Sequence, residues 1–182
     1  MKDKYLYLAL DIDGVLTSYY NTTSDDADVL DDRCLRILRT LVTTLKHDPS
    51  IKFEGIIFYS YWTKNMYPYL RKKFVEHKLS FGDHRALNKL DRIKYYTIAD
   101  YPSNQNKLSR LDCVLEEIMR QKRISGHVDI SKEDIRIIII DDEYDETTGY
   151  EGVKIDPHDG LTYSNYVEVC KLTGTDPDVF VR

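Results

Sequence analysis

The sequence predicts an α/β fold: a doubly wound, mostly parallel sheet with helices on both faces. Three observations predict it. Apolar runs with strand character (residues 5–10, 53–59, 94–98 and 135–140) alternate with stretches of helical spacing. Two of those runs end in carboxylates, Asp11-Ile12-Asp13-Gly14 and Asp141-Asp142-Glu143. No internal repeat, low-complexity tract or linker interrupts the pattern, so residues 1–182 are expected to form one domain.

The elements follow in order. Residues 5–10 form the first buried strand. A helix is expected over 28–47, where Val29, Leu35, Leu38, Leu41, Val42 and Leu45 share one face and acids crowd the first turn. The β-branched run 53–59 ends at Ser60 as a second strand. Helical spacing returns over 64–78, and Pro68 places the helix start near itself. Residues 80–90 look irregular, 94–98 read as a strand, and 100–106 as a polar turn. A helix is expected over 108–122, a loop over 125–134, and the most apolar strand over 135–140. A short strand at 152–155 and a helix over 164–172 close the chain.

Composition bounds the function. With 42% hydrophobic and 31% charged residues, the chain has an ordinary globular balance. It shows no long apolar run and no cleavage-site pattern after Met1, so no membrane partner and a cytoplasmic location are expected. Cys34, Cys113 and Cys170 are odd in number, far apart and within helical patterns, which favours free thiols. The net charge of −5 is uneven. Residues 64–110 hold eleven Lys or Arg against four acids, a local +7 that leaves −12 on the remainder. Such a segment suits a polyanion, as it also suits a solvated helix face.

In a strand, residues i and i+2 point to the same side, and Gly14 lets the backbone curl just beyond. Asp11 and Asp13 are therefore expected to face one small volume. Carboxylates that close repel unless a cation or shared proton compensates them, and Mg2+ with oxygen ligands is the expected partner. Asp141 and Asp142 would complete its ligands. Asp11, Ser60 and Asp141 all end parallel strands, where doubly wound sheets place their ligands. The five histidines show no zinc spacing.

The stretches LALDIDGVLTS, IIFYSYW, SRLDCVLEEIM, IIIIDDE and IDPHDGLT, in that order over about residues 5–173, resemble the haloacid dehalogenase (HAD) superfamily of phosphohydrolases. They are most similar to the HAD domains of the "Swiss Army Knife" RNA-repair group. The resemblance implies a HAD-like Rossmannoid fold, with Asp11 as nucleophile and Asp13 as general acid/base. It also implies Ser60 as a phosphate ligand and a cation from the helix before the last motif strand. Superfamily practice favours Lys107 and the repair group's pattern favours Arg110; both stay open. Where the repair group carries Ser-Ser-x-Trp-Arg, this chain has Tyr59-Ser60-Tyr61-Trp62-Thr63-Lys64. Lys64 would replace a bidentate arginine with a point charge, and Tyr61 and Lys64 are the candidate substrate contacts. Trp62 reads as core, and Tyr19 and Tyr20 as candidates to face the substrate.

The interval between Asp11 and Ser60 has room for a flap and one helix, and 46 residues separate Ser60 from Lys107. A minimal cap and an open site are expected. An open site beside a basic segment suits a phosphorylated nucleic-acid end, and thus a polynucleotide 3′-phosphatase. A nucleotide phosphatase, or a metal- and nucleic-acid-binding module without turnover, are the alternatives. A phosphoacceptor receiver domain fits less well, because the middle strand ends in Ser60 instead of an acceptor Asp.

Overall fold

The computed structural model describes residues 4–18, 30–60, 67–79, 94–101 and 106–178. It contains a five-stranded, all-parallel sheet and four helices among those residues. The strands are β1 (Tyr5–Leu10), β2 (Lys52–Phe58), β3 (Lys94–Thr97), β4 (Ile135–Asp141) and β5 (Glu151–Lys154), in spatial order β3-β2-β1-β4-β5. The helices are α1 (Asp32–His47), α2 (Tyr67–Glu76), α3 (Lys107–Ile124) and α4 (Tyr163–Thr173).

Strand alternation sorts the core into two layers. Leu6, Leu8 and Leu10 of β1 face a layer built with α1, α2 and α4; Tyr7 and Ala9 face the opposite layer, built with α3. β4 divides the same way, with Ile138 and Ile140 on the first side and Ile137 and Ile139 on the second. Helices thus cover both faces, as a parallel sheet requires. β1 lies at the centre, and the strand order reverses between β1 and β4, which is where such sheets open a crevice at their carboxyl ends.

Local chemistry moves some expected boundaries. The first helix starts at Asp32, not near residue 28. The Asp31 side chain accepts from the Arg33 backbone N–H, so its extended backbone caps the helix instead of joining it. The third strand stops at Thr97, because the Thr97 hydroxyl accepts from Ala99 N–H and turns the chain into a 3₁₀ turn, Ile98–Asp100. α3 begins at Lys107 under an Asn106 cap that accepts from Ser109 N–H. α4 is closed by a Thr162–Asn165 capping box and a left-handed Gly174. None of the three cysteines is in a disulfide among the described residues; Cys34 and Cys170 are buried and Cys113 is half-buried. No helix among the described residues is long and apolar enough to cross a membrane.

Candidate active site

Register brings the two acidic motifs together. Leu10 pairs with Ile140 across the β1–β4 ladder, and Asp11 N–H continues that ladder to the Ile140 carbonyl at 2.9 Å. Asp11 and Asp141 therefore stand side by side at the end of adjacent strands, 4% and 2% exposed. Asp142, half-buried, follows at the turn. One carboxylate oxygen from each of the three can be chosen so that all lie within 4.8 Å of one another.

Three acids this close need positive charge. Lys107, at the first turn of α3, supplies it: Nζ donates to Asp11 Oδ2 and, at 3.0 Å, to Asp141 Oδ2. The same ammonium lies 5.3 Å from the Tyr59 ring centroid, a cation–π contact that no motif signalled. Burial works against the ammonium, yet Asp11 and Asp141 outweigh it and its pKa is raised. Burial pushes the Asp11 carboxyl up to about 6, against the pull of Lys107, and Asp141 adds to the rise. Asp142 is also raised, first by burial and then by Asp141.

Asp13 departs from the expected metal set. The chain leaves the strand at Asp11 and winds into a tight turn, with Leu16 N–H donating to the Ile12 carbonyl at 2.8 Å. Strand alternation ends there, so the Asp13 carboxylate is exposed and lies outside the three-carboxylate group. The turn depends on Gly14, whose φ is +68°. A Cβ there would come within 2.7 Å of Asp142 Oδ2 and 3.0 Å of Pro157 Cβ. The glycine thus provides the left-handed turn and the room for Asp142.

Ser60 lies two residues past the end of β2 and is 1% exposed; Tyr59 N–H bonds the Leu10 carbonyl at 2.8 Å and holds that strand end level with Asp11. Arg110 lies one turn beyond Lys107 and is buried within α3. Lys107 is the cation seated on the acids. Tyr61, Trp62, Lys64, Tyr19 and Tyr20 lie outside the described residues. A cavity of about 1000 Å³ lies elsewhere, beside β3, the edge strand among the described residues, between α2 and α3; none of the three carboxylates is among its described lining residues.

The donor set fits a hard divalent cation. It is all oxygen and offers three carboxylates, two buried and the third, Asp142, half-buried. Residues 7–166, the span that holds these three acids, match the family model for the HAD domain in Swiss Army Knife RNA repair proteins. No curated protein and no solved structure matches the chain.

Proposed function

Because the chain belongs to the family of HAD domains in Swiss Army Knife RNA repair proteins, we propose that it is a Mg2+-dependent phosphomonoesterase. Its substrate in this reading is the 3′-phosphorylated end of a nucleic acid, and the whole chain acts as one domain. The observation that carries the chemistry is the pair of buried strand-end carboxylates, Asp11 and Asp141, held by Lys107.

Asp11 serves as the nucleophile. Its oxygen bonds to phosphorus as the bond from phosphorus to the 3′ oxygen breaks, giving an aspartyl phosphate and splitting one hard hydrolysis into two steps. Asp13, exposed one turn away, gives its proton to the departing oxygen. In the second step water attacks phosphorus, Asp13 takes the proton, and Asp11 is released with inorganic phosphate. Lys107 keeps the Asp11 carboxylate ionised above about pH 6 and offsets charge on the approaching phosphate. The buried Ser60 hydroxyl contributes a phosphate ligand at the end of the adjacent strand, with Arg110 backing the cationic side of the site. Asp11, Asp141 and Asp142 would hold the Mg2+, which supplies charge neutralisation between carboxylate and phosphate.

Family membership and the +7 segment of residues 64–110 support a nucleic-acid end over a free nucleotide. The test is Mg2+-dependent phosphate release from 3′- and 5′-phosphorylated RNA and DNA oligonucleotides and from mononucleotides. Turnover concentrated on 3′-phosphorylated oligonucleotides and falling with salt supports the reading. Turnover on mononucleotides alone replaces the polymer substrate with a nucleotide. No turnover by folded, Mg2+-loaded protein removes the enzyme reading.

A further inference from the structure

The turn from Asp156 to Leu161 has no part in that chemistry, yet it is fastened to the active site at both ends. Entering it, Ile155 N–H donates to the Asp141 carbonyl at 3.2 Å. Leaving it, Leu161 N–H donates to the Val15 carbonyl at 2.8 Å, in the loop that carries Asp13 and Gly14. In between, Pro157 lies against Gly14 at the point where Gly14 also meets Asp142. The turn is stiffened by Asp156, whose Oδ1 accepts from His158 N–H and whose carbonyl accepts from Asp159 and Gly160 N–H. Gly160, at φ +63°, lies so near Cys34 Sγ that a Cβ would stand 2.7 Å from the sulfur.

Arg33 is the side chain that pins this turn from outside. Its guanidinium donates to the Asp159 carbonyl, across 126 residues of sequence, and stands 3.7 Å from Asp31 Oδ2. Asp31 is itself buried and tied to the loop, accepting from Ser18 Oγ at 2.6 Å while its N–H donates to the Leu16 carbonyl at 2.7 Å. The Arg33 side chain is 45% exposed, so it fills no core space that would explain its place.

We infer that Arg33 is a positioning residue for the metal-binding carboxylates: by locking the Asp156–Leu161 turn onto the 12–17 loop, it sets how Asp142 lies against Gly14. The inference rests on Asp11, Asp141 and Asp142 forming the metal site. Its physical basis is that partners beyond the ligands orient them, and their loss typically weakens metal affinity by about 10- to 100-fold. An exposed side chain with only a stability role would leave that affinity alone.

The experiment is calorimetric titration of Mn2+, with its bound EPR spectrum, into the full chain, Arg33→Met, Arg33→Lys and Asp142→Asn, alongside thermal melts. Arg33→Met should raise the Mn2+ dissociation constant by about tenfold, with a melting temperature within a few degrees of wild type. Arg33→Lys, which keeps one donor for the Asp159 carbonyl, should recover part of the affinity. An Arg33→Met dissociation constant within twofold of wild type would overturn the inference, whatever the melting temperature does. A wild-type chain that binds no Mn2+, or binds it equally after Asp142→Asn, would overturn the metal site and the inference with it. Binding that falls as expected, without phosphatase turnover in any form, would support the inference and count only against the proposed reaction.

Discussion

Lys107 Nζ is shared between carboxylates from two strands, donating to Asp11 Oδ2 on one side and Asp141 Oδ2 on the other. The lysine side chain is 15% exposed and the acids 5% and 3%, so the three form one desolvated ionic unit. Removing one member of such a unit leaves uncompensated buried charge, typically at about 3–5 kcal/mol. Lys107→Met should therefore unfold at lower urea concentration in metal-free buffer, by roughly 3 kcal/mol. Mg2+ should restore more stability to the variant than to wild type, because the cation replaces the missing charge. Equal urea midpoints without metal would contradict the shared pair.

Asp11 gives a pH signature. Its carboxyl rises from 3.8 to about 6, first because of burial, so the folded state keeps a proton that the unfolded chain releases. Stability carried by this group falls as pH climbs through that window and is flat above it. Asp11→Asn does not titrate there. Its stability relative to wild type, in chelator, should grow between pH 4 and pH 7 by on the order of 2 kcal/mol. Urea unfolding across that range checks it; a gap that stays constant or shrinks would be inconsistent with the buried acid.

Gly14→Ala combines two penalties. The added Cβ meets Asp142 Oδ2 at 2.7 Å, and φ +68° is unfavourable for alanine. The expected outcome is a loss of roughly 1–2 kcal/mol in stability together with weaker Mg2+ binding, because Asp142 must move. Isothermal titration and thermal melts separate the two effects. A variant that keeps full Mg2+ affinity would show that Asp142 does not hold the metal.

The thiols should differ in reactivity. Burial, with the nearby Asp31 carboxylate adding to it, pushes the Cys34 thiol up to about 11, and burial raises Cys170 as well. Cys113 is half-buried on α3. Iodoacetamide at pH 8 should label Cys113 in the native protein and leave Cys34 and Cys170 intact until denaturant is added. Mass spectrometry of the digested protein reads this out, and rapid native labelling of Cys34 would contradict its buried setting.

Much of this was legible in the sequence because it depends on local pattern. Residues 5–10 alternate between two apolar layers, and the 137–140 run is apolar on both sides, so β1 and β4 and the acids ending them are legible in the sequence alone. The choice between Lys107 and Arg110 did not stand out. They sit three residues apart on one helix, and which one meets the acids depends on where Asn106 starts α3 and how the helix is turned against the sheet. The sequence places the start of α1 too early, because a run of acids before Asp32 looks like a first turn, whereas Asp31 acts as the cap. Arg33 carried no signal, since its contact lies 126 residues away and uses a backbone carbonyl. The stretch IDPHDGLT was visible as a motif, but its part in bracing the 12–17 loop appears only once β4 and β1 are in register.

In the proposed reaction Asp11 becomes phosphorylated during turnover. The direct measurement is acid quenching of the reaction with an RNA oligonucleotide bearing a ³²P-labelled 3′-phosphate, followed by peptide mapping of the labelled chain. Label is expected on the peptide containing Asp11 in the wild-type chain and on no peptide of Asp11→Asn. Phosphate release that continues undiminished in Asp11→Asn, with no labelled peptide in any form, would contradict it.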